Sequence, residues 1–336
     1  MNYFIFFCAF VTFLTTFLLI PWAIKFLKRI GLEVKDQNKA SLPLVSLSGG
    51  LAVLVGIYAG FFTFIFLRKF FFSTAFYSIT MEPNNLALLF AAMTSLFIVT
   101  FVGFIDDLIV HKSKDRSGGL TQWQKPLLTL AAAVPLMVMK AGETTMYLPF
   151  FGPVNFGIIY PLVLIPIGVI GAANMVNMLA GFNGMEAGMG IVYFGMLGFY
   201  AYINQSYLAA LIALFIFTAL IAFYWFNKFP AKIFPGDSLT YLMGGGLAII
   251  AIIGNIEKAV LICSIPFFIE LVLKARGKFK VQTYGCEKNG KIFSRSGNKI
   301  YSIPHILTRT GKFTEKQITY AMILMELVFA SLIWFI

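Results

Sequence analysis

Residues 174–190 read Asn174-Met-Val-Asn177-Met-Leu-Ala-Gly-Phe-Asn183-Gly-Met-Glu186-Ala-Gly-Met-Gly190. An apolar run from Ile158 to Ala173 precedes this stretch, and another from Ile191 to Tyr202 follows it. Asn174, Asn177, Asn183 and Glu186 therefore stand where one apolar helix ends and the next begins. A Gly-rich turn at such a place is ordinary, but it does not require four polar side chains. Asn174 and Asn177, three apart, share one face of a helix. A polar cap and turn is one reading of these residues. Polar groups beside hydrocarbon are costly and mark function by default, which is the other.

The rest of the chain has the same character. Of its 336 residues, 59% are hydrophobic and 12% are charged. Soluble domains carry about 25% charged residues, so the composition excludes a soluble globular class. It predicts one polytopic, all-α integral membrane domain over residues 1–336. A span needs about 20 apolar residues, and ten candidates emerge, at approximately 3–24, 48–67, 86–105, 127–140, 156–173, 187–203, 207–226, 239–254, 258–273 and 317–336. The first has no basic leader region and no small-residue cleavage site, so it reads as an uncleaved helix. Three cysteines, Cys8, Cys263 and Cys286, without a CxxC pair support neither a disulfide framework nor a zinc site.

The basic residues orient the bundle. The odd-numbered loops, about 25–47, 106–126, 174–186, 227–238 and 274–316, and the adjoining helix ends hold 22 of the 26 Lys and Arg; only Arg68, Lys69, Lys140 and Lys258 fall on the other side. The positive-inside rule then places five loops in the cytoplasm and both termini, Met1 included, outside. A net charge of +12 is on this view a topology signal and a contact for anionic lipid heads, and no nucleic-acid partner is expected. Asp106, Asp107, Asp115, Asn174, Asn177, Asn183 and Asp237 lie on the same side, whereas Glu82, Glu143 and Glu257 lie singly on the other. Glu270 and Glu326 fall within or at the edge of apolar segments and are expected to face other helices. In the long ninth loop, Asn289-Gly290 between alternating residues predicts a small β-hairpin.

Three groups carry candidate chemistry. Asp106-Asp107, at the end of the third segment, are adjacent acids that repel unless a metal, a lysine or a shared proton neutralises them; acids solvated at a helix end are the plainer reading. Phe234-Pro-Gly-Asp237-Ser238 opens the eighth segment, where Asp237 is either a helix cap or, with an Asn177 oxygen and a diphosphate, a magnesium ligand. Lys125 begins the fourth segment beside the loop bearing the two aspartates.

Gly103-Phe-Ile-Asp-Asp-Leu108, Lys125, Asn174 to Gly188 and Phe234-Pro-Gly-Asp-Ser238, in this order and on these loops, resemble the polyprenyl-phosphate N-acetylhexosamine-1-phosphate transferases of glycosyltransferase family 4. Leu179-Ala-Gly-Phe-Asn-Gly-Met-Glu186 resembles the archaeal and eukaryotic UDP-GlcNAc–dolichyl-phosphate GlcNAc-1-phosphotransferase branch more than the Asp-rich loop of the phospho-MurNAc-pentapeptide translocases. The resemblance implies a magnesium enzyme, with Mn2+ as a substitute. Its acceptor is a polyprenyl or dolichyl phosphate in the bilayer and its donor a UDP-N-acetylhexosamine, GlcNAc before other sugars. Its site lies on the cytoplasmic face of a prokaryotic cell membrane, of archaeal type. It implies that Asp237 and Asn177 hold the metal, that Lys125 binds phosphate, and that Asp106 and Asp107 orient or deprotonate the lipid phosphate. Asn174 would orient its neighbours or touch the nucleotide. Where the eukaryotic enzymes carry an Arg-His-Arg cluster, this chain has Lys278-Phe-Lys280, and His305 in Ile-Pro-His-Ile-Leu stands for a histidine run; Lys278, Lys280 and His305 are the expected pyrophosphate anchors. Whether the protein is a homodimer is left open. A secondary transporter, with polar groups near the membrane midplane, is the rival class.

Overall fold

The computed structural model describes residues 3–71, 83–112, 119–121, 123–148 and 152–336. The expected positions of Met1, Glu82, Lys114, Asp115 and Arg116 lie outside the described residues. Helices dominate: α1 (Tyr3–Arg29), α2 (Gly50–Phe70), α3 (Pro83–Lys112), α4 (Gln124–Val138), α5 (Ile165–Met178, entered through a π turn at Tyr160–Leu164), α6 (Met185–Ile203), α7 (Tyr207–Asn227), α8 (Gly236–Gly254), α9 (Glu257–Cys263), α10 (Ile265–Arg276), α11 (His305–Thr308) and α12 (Glu315–Ser331). Each of the ten expected apolar segments is helical. Among the described residues seven helices are long and apolar enough to cross a membrane: α1, α2, α3, α5 with its π turn, α7, α8 and α12 with its 3-10 end. The ninth segment is broken into α9 and α10 at Ser264, because Pro266 in the first turn of α10 has no N–H with which to continue α9.

Three antiparallel hairpins interrupt the helices: β1 (Glu33–Lys35) with β2 (Leu44–Ser46), β3 (Thr145–Leu148) with β4 (Gly152–Asn155), and β5 (Cys286–Lys288) with β6 (Lys291–Phe293). The last is closed by Asn289 (φ 50) and Gly290 (φ 73), both left-handed as a type I′ turn requires. The first two were not foreseen, because their strands are only three or four residues long and carry no clear alternation.

The axis of the bundle is α8. Every residue from Ser238 to Ile252 is buried, and α3 and α5 make its most extensive contacts. An all-round apolar helix has to be enclosed in this way. Close approach is possible where α3 carries Gly103, whose missing side chain would otherwise strike the Asp237 carbonyl.

The loops separate by parity. At one end, Phe234 N–H donates to Ser46 O at 2.8 Å, Asn38 Nδ2 to Gly181 O at 2.6 Å, and Gly285 N–H to Asn38 Oδ1 at 3.0 Å, joining the first, fifth, seventh and ninth loops. At the other end, Glu143 N–H donates to Asn255 Oδ1 at 2.7 Å and Ser206 Oγ to Gly254 O at 2.7 Å, joining the fourth, sixth and eighth.

Candidate active site

α3 continues through Asp106 and Asp107 to Lys112 instead of ending before them. Successive helical residues point about 100° apart, so the two carboxylates serve different neighbours. Asp107 faces α8: its Oδ1 accepts the Asp237 N–H at 2.8 Å and its Oδ2 the Ser238 N–H at 3.3 Å. These are first-turn N–H groups that the helix cannot satisfy itself, at the positive end of its dipole. Asp106 faces α4: its Oδ1 accepts the Leu120 N–H at 2.6 Å, and its Oδ2 lies 2.5 Å from Lys125 Nζ.

Lys125, in the first turn of α4, also lies 3.0 Å from Asp237 Oδ2. Asn177, in the last turn of α5, donates from Nδ2 to that same oxygen at 3.0 Å. Thr240, one turn into α8, donates to Asn177 Oδ1 at 2.9 Å and so sets the direction of the amide. Four helices thus deliver Asp106, Asp107, Lys125, Asn177 and Asp237 to one point. The Asp106 side chain is fully enclosed, whereas those of Lys125 and Asp237 are 25% and 24% exposed. Lys125 and Asp237 are thus the open charged groups of the cluster. The turn into α8 requires Gly236: its φ is +67, and a side chain there would collide with the Asp107 carboxylate.

Three aspartates share one lysine here, an arrangement to which a divalent cation would add positive charge. Every charged donor is a carboxylate oxygen, the hard type that suits magnesium. Asn177 presents its nitrogen to Asp237 and its oxygen to Thr240. Among the described residues no group of three or more His, Cys, Asp or Glu is arranged to enclose a metal ion unaided. A cation here would take its remaining ligands from water or substrate, as magnesium commonly does.

The other expected residues lie apart from this point. Asn174 donates from Nδ2 to Ile170 O at 2.8 Å in its own helix and reaches Thr129 Oγ1 at 3.5 Å. Lys278 and Lys280 are exposed in the turn that leaves α10, and neither is ion-paired with a described residue. His305 is buried with both ring nitrogens engaged: Nδ1 accepts the Tyr301 N–H at 3.3 Å, and Nε2 donates to Gln282 O at 3.1 Å. Burial pushes its imidazole below the ordinary range, against the opposing pull of the Gln282 carbonyl. A neutral histidine already occupied on both sides pins the ninth loop. Glu270 acts beside it, accepting from Ser302 Oγ at 2.6 Å and Ile303 N–H at 2.8 Å.

Asn183 and Glu186 form a second centre, one that joins loops. Asn183 Nδ2 donates to Asp36 Oδ2 at 3.1 Å and its N–H to Glu315 Oε1 at 2.9 Å. Glu186 Oε1 accepts the Gly181 N–H at 2.7 Å. Lys39 pairs with both Glu315 and Asp36. The sequence reading passed over Asp36, Asn38 and Glu315, together with Thr240 and Ser48. Ser48 Oγ donates to Ser238 Oγ at 2.9 Å. The signal for Ser48 was present in Leu47-Ser-Gly-Gly50 immediately before an apolar helix. Nothing local marked the others.

The glycosyl transferase family 4 profile matches residues 89–255, the interval that contributes all five clustered side chains. The chain is similar to a protein of Saccharolobus solfataricus described as a candidate UDP-N-acetylglucosamine–dolichyl-phosphate N-acetylglucosaminephosphotransferase, at 32% identity over 326 residues, 95% of this chain and 92% of that protein. A protein of Sulfolobus acidocaldarius with the same description is 32% identical over 327 residues, 96% of this chain and 93% of its own. A phospho-N-acetylmuramoyl-pentapeptide-transferase of Lactobacillus acidophilus is 31% identical over 194 residues, 57% of this chain and 60% of its own. Identity sustained over nearly the whole length, with the profile falling on the helices that assemble the aspartate–lysine cluster, makes this chain a member of glycosyl transferase family 4.

Proposed function

We propose that the chain transfers N-acetylglucosamine-1-phosphate from UDP-N-acetylglucosamine to a dolichyl or other polyprenyl phosphate at the cytoplasmic face of the membrane, releasing UMP. An oxygen of the lipid phosphate attacks the sugar-bearing phosphorus. The new P–O bond forms as the bond to the bridging oxygen breaks, and UMP leaves with the electron pair. Such transfer depends mainly on positioning and charge neutralisation. Lys125 is the residue for phosphate oxygens, and Asp106, enclosed behind it, holds the ammonium in place. A phosphate monoester is already largely dianionic near neutral pH, its second pKa being about 6, so little is asked of any base. Asp107 positions the start of α8, whose N-terminal dipole faces the anionic substrates. Asp237 is the residue for a magnesium ion, joined by Asn177 once its oxygen is free of Thr240. Magnesium, when bound, supplies neutralisation of the diphosphate charge.

The observation that carries this reading is the convergence of Lys125, Asn177 and Asp237, each in a terminal turn of its helix, with Asp106 from the C-terminal part of α3, at the end where the odd loops meet. A transporter's polar groups belong near the midplane. The test is UMP release by purified protein given a panel of UDP-sugars, UDP-MurNAc-pentapeptide included, with polyprenyl phosphates and titrated magnesium. UDP-N-acetylglucosamine is expected to be preferred, and Asn177→Ala to raise the magnesium needed for half-maximal rate. Folded protein inactive with every donor would overturn the proposal.

A further inference from the structure

On the flank where α7 ends and α12 begins, a cavity of about 290 Å³ is lined by Asn183, Tyr224, Lys228, Lys316, Thr319 and Tyr320, with Phe229 at its wall. None of these residues belongs to the aspartate–lysine cluster. Lys228 caps the C-terminus of α7, and Lys316 lies in the first turn of α12. Both helices are long and apolar enough to cross a membrane, so the cavity sits where such spans meet lipid headgroups.

Neither lysine is ion-paired with a carboxylate among the described residues. Glu315, next to Lys316, is taken by Lys39 and the Asn183 N–H, and Asp36 is taken by Lys39 and the Asn183 amide. The two ammonium groups rest on rings instead, Lys228 Nζ 3.7 Å from the Trp225 centroid and Lys316 Nζ 5.2 Å from that of Phe229. Such contacts at an exposed edge are weak and leave both charges free for a stronger anionic partner. Trp225 and Tyr320, each 61% exposed, turn their rings outward as interfacial anchors do. The volume lies at the lower end of ligand pockets, suited to a headgroup and too small for a nucleotide sugar.

We propose that this pocket binds the phosphate group of an anionic membrane lipid through Lys228 and Lys316. The proposal is independent of the transfer reading, and its test is a binding measurement that needs no turnover. Full-length protein in neutral detergent is titrated with dihexanoylphosphatidylglycerol, dihexanoylphosphatidylcholine and inorganic phosphate. Saturable binding of phosphatidylglycerol is expected. It should weaken at least tenfold in the Lys228→Gln/Lys316→Gln double variant and stay unchanged in Lys299→Gln/Lys312→Gln, which removes the same charge from exposed ninth-loop positions. Should the first double variant unfold early, Lys316→Glu alone, at an exposed side chain, gives the same comparison. Equal weakening in both double variants would reduce the effect to net charge and overturn the proposal. Inorganic phosphate binding as tightly as phosphatidylglycerol would overturn the assignment to lipid.

Discussion

Asp106, Asp107 and Asp237 are chemically alike, and their surroundings assign them different work. Asp107 is enclosed and accepts two backbone N–H groups of α8; Asp237 is partly open and shares one oxygen between Lys125 and Asn177. Replacing Asp107 by Asn puts an amide NH2 against one of those N–H donors. Leaving a buried donor unmet costs about 1–3 kcal/mol. Asp107→Asn should therefore lower the unfolding temperature in detergent as well as the rate. Asp237→Asn should unfold like the wild type yet lose roughly a thousandfold in UMP release, about 4 kcal/mol of transition-state stabilisation. Paired melting curves and rates for the two variants check this, and an Asp107→Asn protein as stable as the wild type would remove its role as a cap.

A few polar side chains tie the loops to one another, beside buried apolar residues such as Leu32, Phe182, Ile233 and Ile292. Asn38 is the clearest case, giving Nδ2 to Gly181 O in the fifth loop and taking the Gly285 N–H of the ninth. Asn38→Ala strands both partners, so limited proteolysis within residues 280–304 should run several-fold faster, with the membrane-spanning helices untouched. His305 ties the far side of the same loop and adds a pH dependence. Its folded pKa lies below the unfolded value of about 6.5. The fold accordingly has full strength above that pH. It weakens as pH falls through the depressed folded value, because the unfolded chain binds the proton more readily. Protonation would also place a donor against the Tyr301 N–H. Proteolytic protection of the ninth loop should decline on acidification below about pH 6.5, and His305→Gln should flatten that decline.

For the molecule as a whole, the parity of the loops is the organising fact. Four odd loops are bonded to one another at one end and three even loops at the other. This is the division that the basic residues make along the chain, and the positive-inside rule orients it. Single cysteines at Asn289 and Lys140, in a background lacking Cys8, Cys263 and Cys286, should respond oppositely to an impermeant thiol reagent in sealed cells. Position 140 should label and position 289 should not. The reverse pattern would move the aspartate–lysine cluster to the wrong face for a cytoplasmic nucleotide sugar.

The chain alone determined the helical character of its apolar segments, the grouping of its loops into two sets and the presence of Asp106, Asp107, Lys125, Asn177 and Asp237 among the candidates. These follow from hydropathy over a span's length, from where charge is tolerated beside hydrocarbon, and from short motifs, all of them local in sequence. Only the tertiary structure decided which aspartate faces which neighbour, because that depends on α3 continuing to Lys112. It also separated Asn183 and Glu186 from Asn177, although all three lie within a dozen residues, since α5 ends at Met178 and the chain beyond it turns toward Asp36 and Glu315. The partners that give these residues their work lie far off along the chain. Lys125 and Asp237 are 112 positions apart, and Asn183 and Asp36 are 147. Neither pair leaves a periodicity or motif of its own, so its meeting is set by how helices pack around α8.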